Sequence, residues 1–264
     1  MEPARLDWYP ILTGLTRDFD DWFVCKHLSN ALQGRGDVDG MAPSGEAEAI
    51  SDSIAGHVVA VGDRGVMSVC DHVPGIRLQF LFLERILPRV EQIDTYFHFF
   101  RAATPWGHAA RLRPLTEMRD GIRTVPGDVE AIIDLVFSLA NVRIDPVESA
   151  RRLSAARDAF HADPQGIRGV LRAIAPPATS TTVVRILEDT SITPDVQAVL
   201  ERRFRNRNRL SSLRYPVRLV HRAAFSLGSA CELARLGVTG RRFEGGPGAA
   251  VATFGSTHRT WDVG

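Results

Sequence analysis

Asp37 and Asp39 stand two residues apart, directly after the glycine-containing turn Gly34-Arg35-Gly36. On a strand, residues i and i+2 face the same way, so the two carboxylates aim together while Val38 turns into the core. Carboxylates held this close repel unless a cation lies between them. Mg²⁺ takes hard oxygen ligands of this kind and is usually completed by nucleotide phosphates. A pair of such ions stabilises both the attacking and the leaving oxygen of an in-line displacement at phosphorus. The same two residues also suit a plain turn after Gly36, where Asp is common.

Asp94 is the third acid. It follows Ile93 and precedes the aromatic run Tyr96-Phe97-His98-Phe99-Phe100. A carboxylate in so apolar a strand is expected to be paired, metal-bound or at an edge. Asp37, Asp39 and Asp94 are therefore the candidate catalytic and metal-ligating residues. Around them, Lys26, His27, Ser29, Arg35 and His98 are candidates for holding a nucleotide. Lys26 offers a point charge for phosphate, and His98 shares a strand face with Asp94 if residues 93–100 are extended.

These residues need a sheet to bring them together. Residues 22–25 form a short apolar run that suits a buried strand, and residues 38–41 resume after the turn. Ser44 is a candidate cap for a helix with Ala47, Ile50 and Ile54 on one face and Gly56 as its stop. Residues 57–61, 66–70, 77–83 and 93–100 read as strands. After Pro126 the pattern changes. Asp128 opens an apolar helix through Leu139, and Asp145, Pro146 and Glu148 give a helix start at N-cap, N1 and N3. That helix runs to about Ala162. Residues 176–182 read as a Pro/Ser/Thr loop. Further helices are expected from Thr193-Pro194 and over residues 217–236. The reading is an α/β (α+β) domain over residues 1–125, a helical domain over 126–244 and an irregular tail over 245–264.

Bulk properties narrow the function classes. The formal net charge of +1 in 264 residues gives no global attraction to nucleic acid or an anionic membrane. Cys25, Cys70 and Cys231 are three, widely spaced and without a C-x-x-C pair, which points to a reducing compartment rather than a zinc site. No run approaches the roughly 18 apolar residues of a membrane helix, and residues 1–7 show no signal peptide. A cytoplasmic protein without a membrane partner is expected.

In order and spacing, residues 23–43 and the later Ile93-Asp94-Thr95 resemble the DNA polymerase β-like nucleotidyltransferase superfamily. There, an apolar strand and short helix lead to an apolar-flanked D-x-D/E, with a third acid on a neighbouring strand. The step Cys25-Lys26-His27 and the stretch 118–126 are similar to a bacterial subgroup, some members of which carry a thymidylate kinase-like domain. Where the superfamily has Gly-Ser or Gly-Gly after the first strand, this chain has Lys26-His27-Leu28-Ser29. Residues 246–257 resemble the opening strand of such a kinase domain but lack the G-x-x-x-x-G-K-[ST] loop, so no kinase site is expected.

The resemblance implies a nucleotidyltransferase-fold mixed sheet with flanking helices. It also implies Mg²⁺-dependent transfer of a nucleoside monophosphate from ATP or another NTP to a small molecule, a protein or a tRNA. A catalytically inactive member acting as an interaction or regulatory module is the alternative. A third reading is nucleic-acid binding through Arg202, Arg203, Arg205, Arg207, Arg209, Arg214, Arg218 and Arg222, interleaved with Phe204, Leu210, Tyr215 and Phe225. A solvated helix face is the favoured reading of those arginines.

Overall fold

A computed structural model describes residues 5–70, 75–84, 90–101, 104–141, 146–175, 177–189 and 259–263. The architecture is the α/β one that the sequence predicts. Seven strands of the first half make a mixed sheet, and an eighth joins one edge from the far end of the chain. The chain runs α1 (Trp8–Asp18), β1 (Phe23–Lys26), α2 (Leu28–Leu32), β2 (Val38–Met41), α3 (Ala47–Ala60), β3 (Gly65–Cys70), β4 (Ile76–Leu83) and β5 (Glu91–Tyr96). A separate two-stranded sheet, β6 (His98–Arg101) and β7 (Thr104–His108), precedes α4 (Ala109–Leu112), β8 (Glu117–Arg119) and β9 (Ile122–Thr124). Four helices follow: α5 (Gly127–Asn141), α6 (Pro146–Ala162), α7 (Pro164–Ile174) and α8 (Pro177–Glu188). The strand order is β10-β3-β4-β5-β2-β1-β9-β8, with β10 (Arg259–Val263) antiparallel to β3.

Strand alternation divides the core between the two faces of this sheet. Val24, Val38, Ile93, Met67 and Leu81 belong to a cluster with Ile11, Leu12 and Leu15 of α1 and Ile50, Ile54 and Val58 of α3. Phe23, Cys25, Met41 and Tyr96 belong to the opposite cluster, with Ile132, Ile133 and Val136 of α5, Phe160 of α6 and Leu171 of α7. Gly40 explains itself here. A Cβ at that position would lie 2.9 Å from the indole nitrogen of Trp22, so the β2 position beside Asp39 has no room for a larger residue.

Several expectations are corrected. Gly56 does not stop α3, and residues 57–60 are helical rather than strand. Ile50, Ile54 and Val58 recur every four residues and bury one continuous stripe, which outweighs the β propensity of Val58 and Val59. Ser44 sits in a 3₁₀ turn that precedes this helix and makes no side-chain cap. Residues 177–182 are the start of α8, not a loop. Pro177 sits at its first position, and the Ser180 hydroxyl donates to the Leu171 and Ala175 carbonyls at the end of α7. Residues 93–100 break at Phe97 into β5 and β6. The sequence reading passed over α1 and α7. Both begin on capping aspartates, with Asp7 accepting from Tyr9 N–H and Asp163 from Gly166 N–H. The helices expected from Thr193 and over residues 217–236, the arginine-rich stretch and residues 246–257 lie outside the described residues.

Candidate active site

Asp39 and Asp94 are brought side by side by strand register. β2 and β5 are parallel neighbours in which Val38 pairs with Ile93, Asp39 with Asp94 and Met41 with Tyr96. Val38 and Ile93 face α1 and α3, so Asp39 and Asp94 face the helices of the second half. Asp37 lies one residue before β2, exposed to solvent, and shares their side by the same alternation. Its charge reaches both partners, since it helps to raise the pKa of each. Asp39 and Asp94 are therefore adjacent on one face, with Asp37 close enough at the same end of β2 for its charge to act on both.

Lys26 enters this group through an irregularity. Val24 pairs with Gly40 but Lys26 pairs with Asp39, so two residues of β1 oppose one of β2. A bulge of this kind re-aims a side chain. Lys26 Nζ lies 3.3 Å from Asp39 Oδ2, and both side chains are at least nine-tenths buried. The ammonium also lies 4.5 Å from the ring centre of Phe137 on α5 and 5.5 Å from that of Tyr96. Burial opposes its charge, but Asp39 and Asp134 hold its pKa above the ordinary lysine value. Burial beside Asp39 and Asp94 raises the Tyr96 pKa and keeps the phenol protonated.

Asp94 is the group whose charge is least compensated. Gln92 Nε2 donates to its Oδ1 at 2.6 Å. Burial comes first in raising its pKa to about 7, and the charges of Asp39 and Asp37 add to it against Gln92 and Lys26. A carboxyl that shares its proton near neutrality within reach of two other carboxylates is a candidate general base.

His27 and Ser29 lie on a neighbouring feature. A cavity of about 300 Å³ between α2, α5 and α6 is lined by His27, Ser29, Asn30, Glu130, Asp134 and Arg152 among others. The His27 imidazole lies 3.4 Å from both Glu130 and Asp134. Arg152 Nη1 donates to Asp134 Oδ1 at 2.7 Å and its Nε to Glu148 at 2.8 Å. Hydrogen bonds to Asp134 and Glu130 raise the His27 pKa to about 9. In return its imidazolium draws both carboxyls down against the effect of burial. Folding thus favours protonated His27. That stabilisation is complete below the unfolded value of about 6.5 and is lost as pH rises through about 9. In denaturant unfolding, His27→Gln is expected to cost about 2–3 kcal/mol near pH 6 and less than about 1 kcal/mol near pH 10.

Arg35 and His98 are not brought to the acids in the same way. Arg35 is exposed after α2. His98 follows the break at Phe97, in the separate two-stranded sheet. It lies over Gly75 and beside His108, with ring centres 5.2 Å apart. It stands four positions beyond Asp94, past the bend at Phe97 that ends β5. Glu130, Asp134, Gln92 and Tyr96 are the site residues that the sequence reading missed. The available signal was Glu130 and Asp134, four apart on a helix whose other positions are largely apolar.

The donor set suits a hard divalent cation in kind, being the carboxylates of Asp39 and Asp94 on adjacent strands with that of Asp37 near them. Among the described residues, however, no three Asp, Glu, His or Cys side chains lie close enough together to hold an ion as they stand. Lys26 already occupies Asp39. No helix among the described residues is long and apolar enough to cross a membrane.

No family model matches the sequence, and no curated protein is significantly similar to it. One solved structure that it resembles is that of JHP933 from Helicobacter pylori. The identity is 9%, with 78% of this chain and 93% of that one covered, at a TM-score of 0.37.

Proposed function

We propose that the chain is a Mg²⁺-dependent nucleotidyltransferase with its acid centre at Asp37, Asp39 and Asp94. The observation that supports this reading most is the in-register pairing of Asp39 with Asp94 on adjacent parallel strands, with Asp37 on the same side. These three carboxylates would hold the cation, which would neutralise the triphosphate of a bound NTP. The second oxygen of Asp94 takes the proton of an acceptor hydroxyl. The acceptor oxygen bonds to the α-phosphorus, the bond to the β-phosphate oxygen breaks, and pyrophosphate leaves. Lys26 offsets part of the rise that burial imposes on the Asp39 pKa, beneath the aromatic rings of Tyr96 and Phe137. The acceptor class, whether a small molecule, a protein or a tRNA, is left open by this chemistry.

One observation favours a second reading, an inactive member of the same class. The Lys26–Asp39 ion pair places an internal cation where the metal would act. Calorimetric titration of the four NTPs with Mg²⁺ separates the two readings. Transfer chemistry requires binding to the wild type and at least about tenfold weaker binding to Asp37→Ala. Equal binding by both proteins overturns it, and absence of binding in the wild type leaves the inactive reading.

A further inference from the structure

Lys26 is the single lysine among the 32 Lys and Arg residues of the chain. It stands in a buried ion pair, where a guanidinium is the usual choice, being weakly hydrated and able to form two parallel hydrogen bonds to a carboxylate. The chain uses arginine for such work elsewhere, as Arg152 does on Asp134 at 2.7 Å. Lysine offers instead a compact point charge without a fixed fork. Lys26 Nζ lies 3.3 Å from Asp39 Oδ2, beyond the about 2.7–2.9 Å of a close charge-assisted hydrogen bond. The rings of Phe137 and Tyr96, at 4.5 and 5.5 Å, attract the ammonium without binding it to one geometry. The one lysine is therefore placed on the acid centre and held there loosely.

The carboxylates around it ask for more positive charge than it brings. Asp39 is in register with Asp94, and the charge of Asp37 acts on both. A divalent ion carries twice the charge of an ammonium to the same oxygens, which are of the hard type it prefers. The two cations exclude one another, because like charges a few ångströms apart in a buried site repel strongly. A displaced ammonium has a second carboxylate within reach of its charge, Asp134 on α5, which already acts on Lys26.

We infer that Lys26 is a removable stand-in for the metal: a divalent ion reaches Asp39 only in exchange for the Lys26 ammonium. An arginine fork would hold the carboxylate too firmly for that exchange. The ammonium keeps Asp39 compensated until the ion arrives, and metal uptake then switches the Lys26 side chain from one carboxylate to another. The inference deepens the nucleotidyltransferase reading above and rests on it for the role of the ion. Its test uses metal without nucleotide.

Because the chain has one lysine, protein made with isotope-labelled lysine gives one side-chain ammonium signal in nuclear magnetic resonance. Mg²⁺ is added without nucleotide. The signal is expected to move to saturation, and its protons are expected to exchange faster with water as the ion pair breaks. Electron paramagnetic resonance then gives the nucleotide-free Mn²⁺ affinities of wild type, Lys26→Met, Lys26→Arg and His27→Gln. Lys26→Met is expected to bind at least about tenfold tighter than wild type, and Lys26→Arg at least about tenfold weaker. His27→Gln removes a charge that acts on Asp39 from beyond the ion pair, and is expected to change the affinity less than about threefold.

A lysine signal that stays in place and protected while Mg²⁺ saturates the protein overturns the inference, and the labelled wild type gives this answer even if Lys26→Met folds poorly. Tightening as large in His27→Gln as in Lys26→Met overturns it too, since general electrostatics explains that result. So does a folded Lys26→Met that binds no Mn²⁺, or Lys26→Arg binding as tightly as wild type. If the lysine signal moves with Mg²⁺ but no NTP binds, the nucleotide reading falls and the exchange stands. If NTP binds with Mg²⁺ and the lysine signal does not move, the exchange falls and the nucleotide reading stands.

Discussion

Lys26→Met is expected to destabilise the protein by about 3–5 kcal/mol, because it leaves a buried carboxylate without its cation. Methionine fills much of the same space under Tyr96 and Phe137, so loss of packing contributes little. What remains is Asp39, buried next to Asp94 and without the ammonium that held it at 3.3 Å. The double variant Lys26→Met/Asp39→Asn removes both charges and is expected to recover most of the loss, since a buried pair replaced as a unit is often close to neutral. Urea unfolding of the wild type, Lys26→Met, Asp39→Asn and the double variant measures the cycle. A single-variant cost below about 1 kcal/mol would mean that water reaches Asp39 in place of Lys26 and that the site is open.

Asp94→Asn is expected to act in the opposite direction and to stabilise the metal-free protein. The carboxyl titrates at about 7 in the folded state and near 3.8 when unfolded, so folding favours its protonated form. Its ionised form costs nothing below the unfolded value, and the cost grows between the two values and is constant above the folded one. Asparagine carries no charge and can keep the hydrogen bond from Gln92. The gain is expected to be about 1–3 kcal/mol near pH 8 and to vanish near pH 4. Urea unfolding in the presence of a chelator reads it. Destabilisation at both pH values would identify Asp94 as a structural residue. Stabilisation is the signature of a group kept at a cost to the fold, as functional groups often are.

The site was legible in the sequence where it depends on alternation, and illegible where it depends on docking. Asp37 and Asp39 share a face because a strand repeats every two residues, and Val38 marks the buried side. Asp94 was recognisable as a carboxylate beside apolar strand residues, although its exact partner follows only from the β2–β5 register. Lys26 was read as a phosphate ligand. Its position against Asp39 depends on a one-residue slip between β1 and β2 that no local pattern announces. Glu130 and Asp134 entered unnoticed because α5 lies 103 residues beyond His27 at the contact, and only tertiary packing brings it there. The same limit explains the helical errors. Residues 57–60 have β-forming types, yet the four-residue recurrence of Ile50, Ile54 and Val58 against α1 and the sheet decides the matter. Pro177 and its Ser/Thr neighbours read as a loop until Ser180 is seen closing the end of α7.

The proposed activity requires Asp37, Asp39 and Asp94 to act together on a divalent cation and a nucleotide. Electron paramagnetic resonance titration of Mn²⁺ in the presence of a non-hydrolysable NTP addresses it directly, comparing the wild type with Asp94→Asn, the variant expected to be the more stable of the two. The account predicts nucleotide-dependent Mn²⁺ binding by the wild type that weakens at least about tenfold in Asp94→Asn. Mn²⁺ binding of equal strength in the two proteins would contradict it.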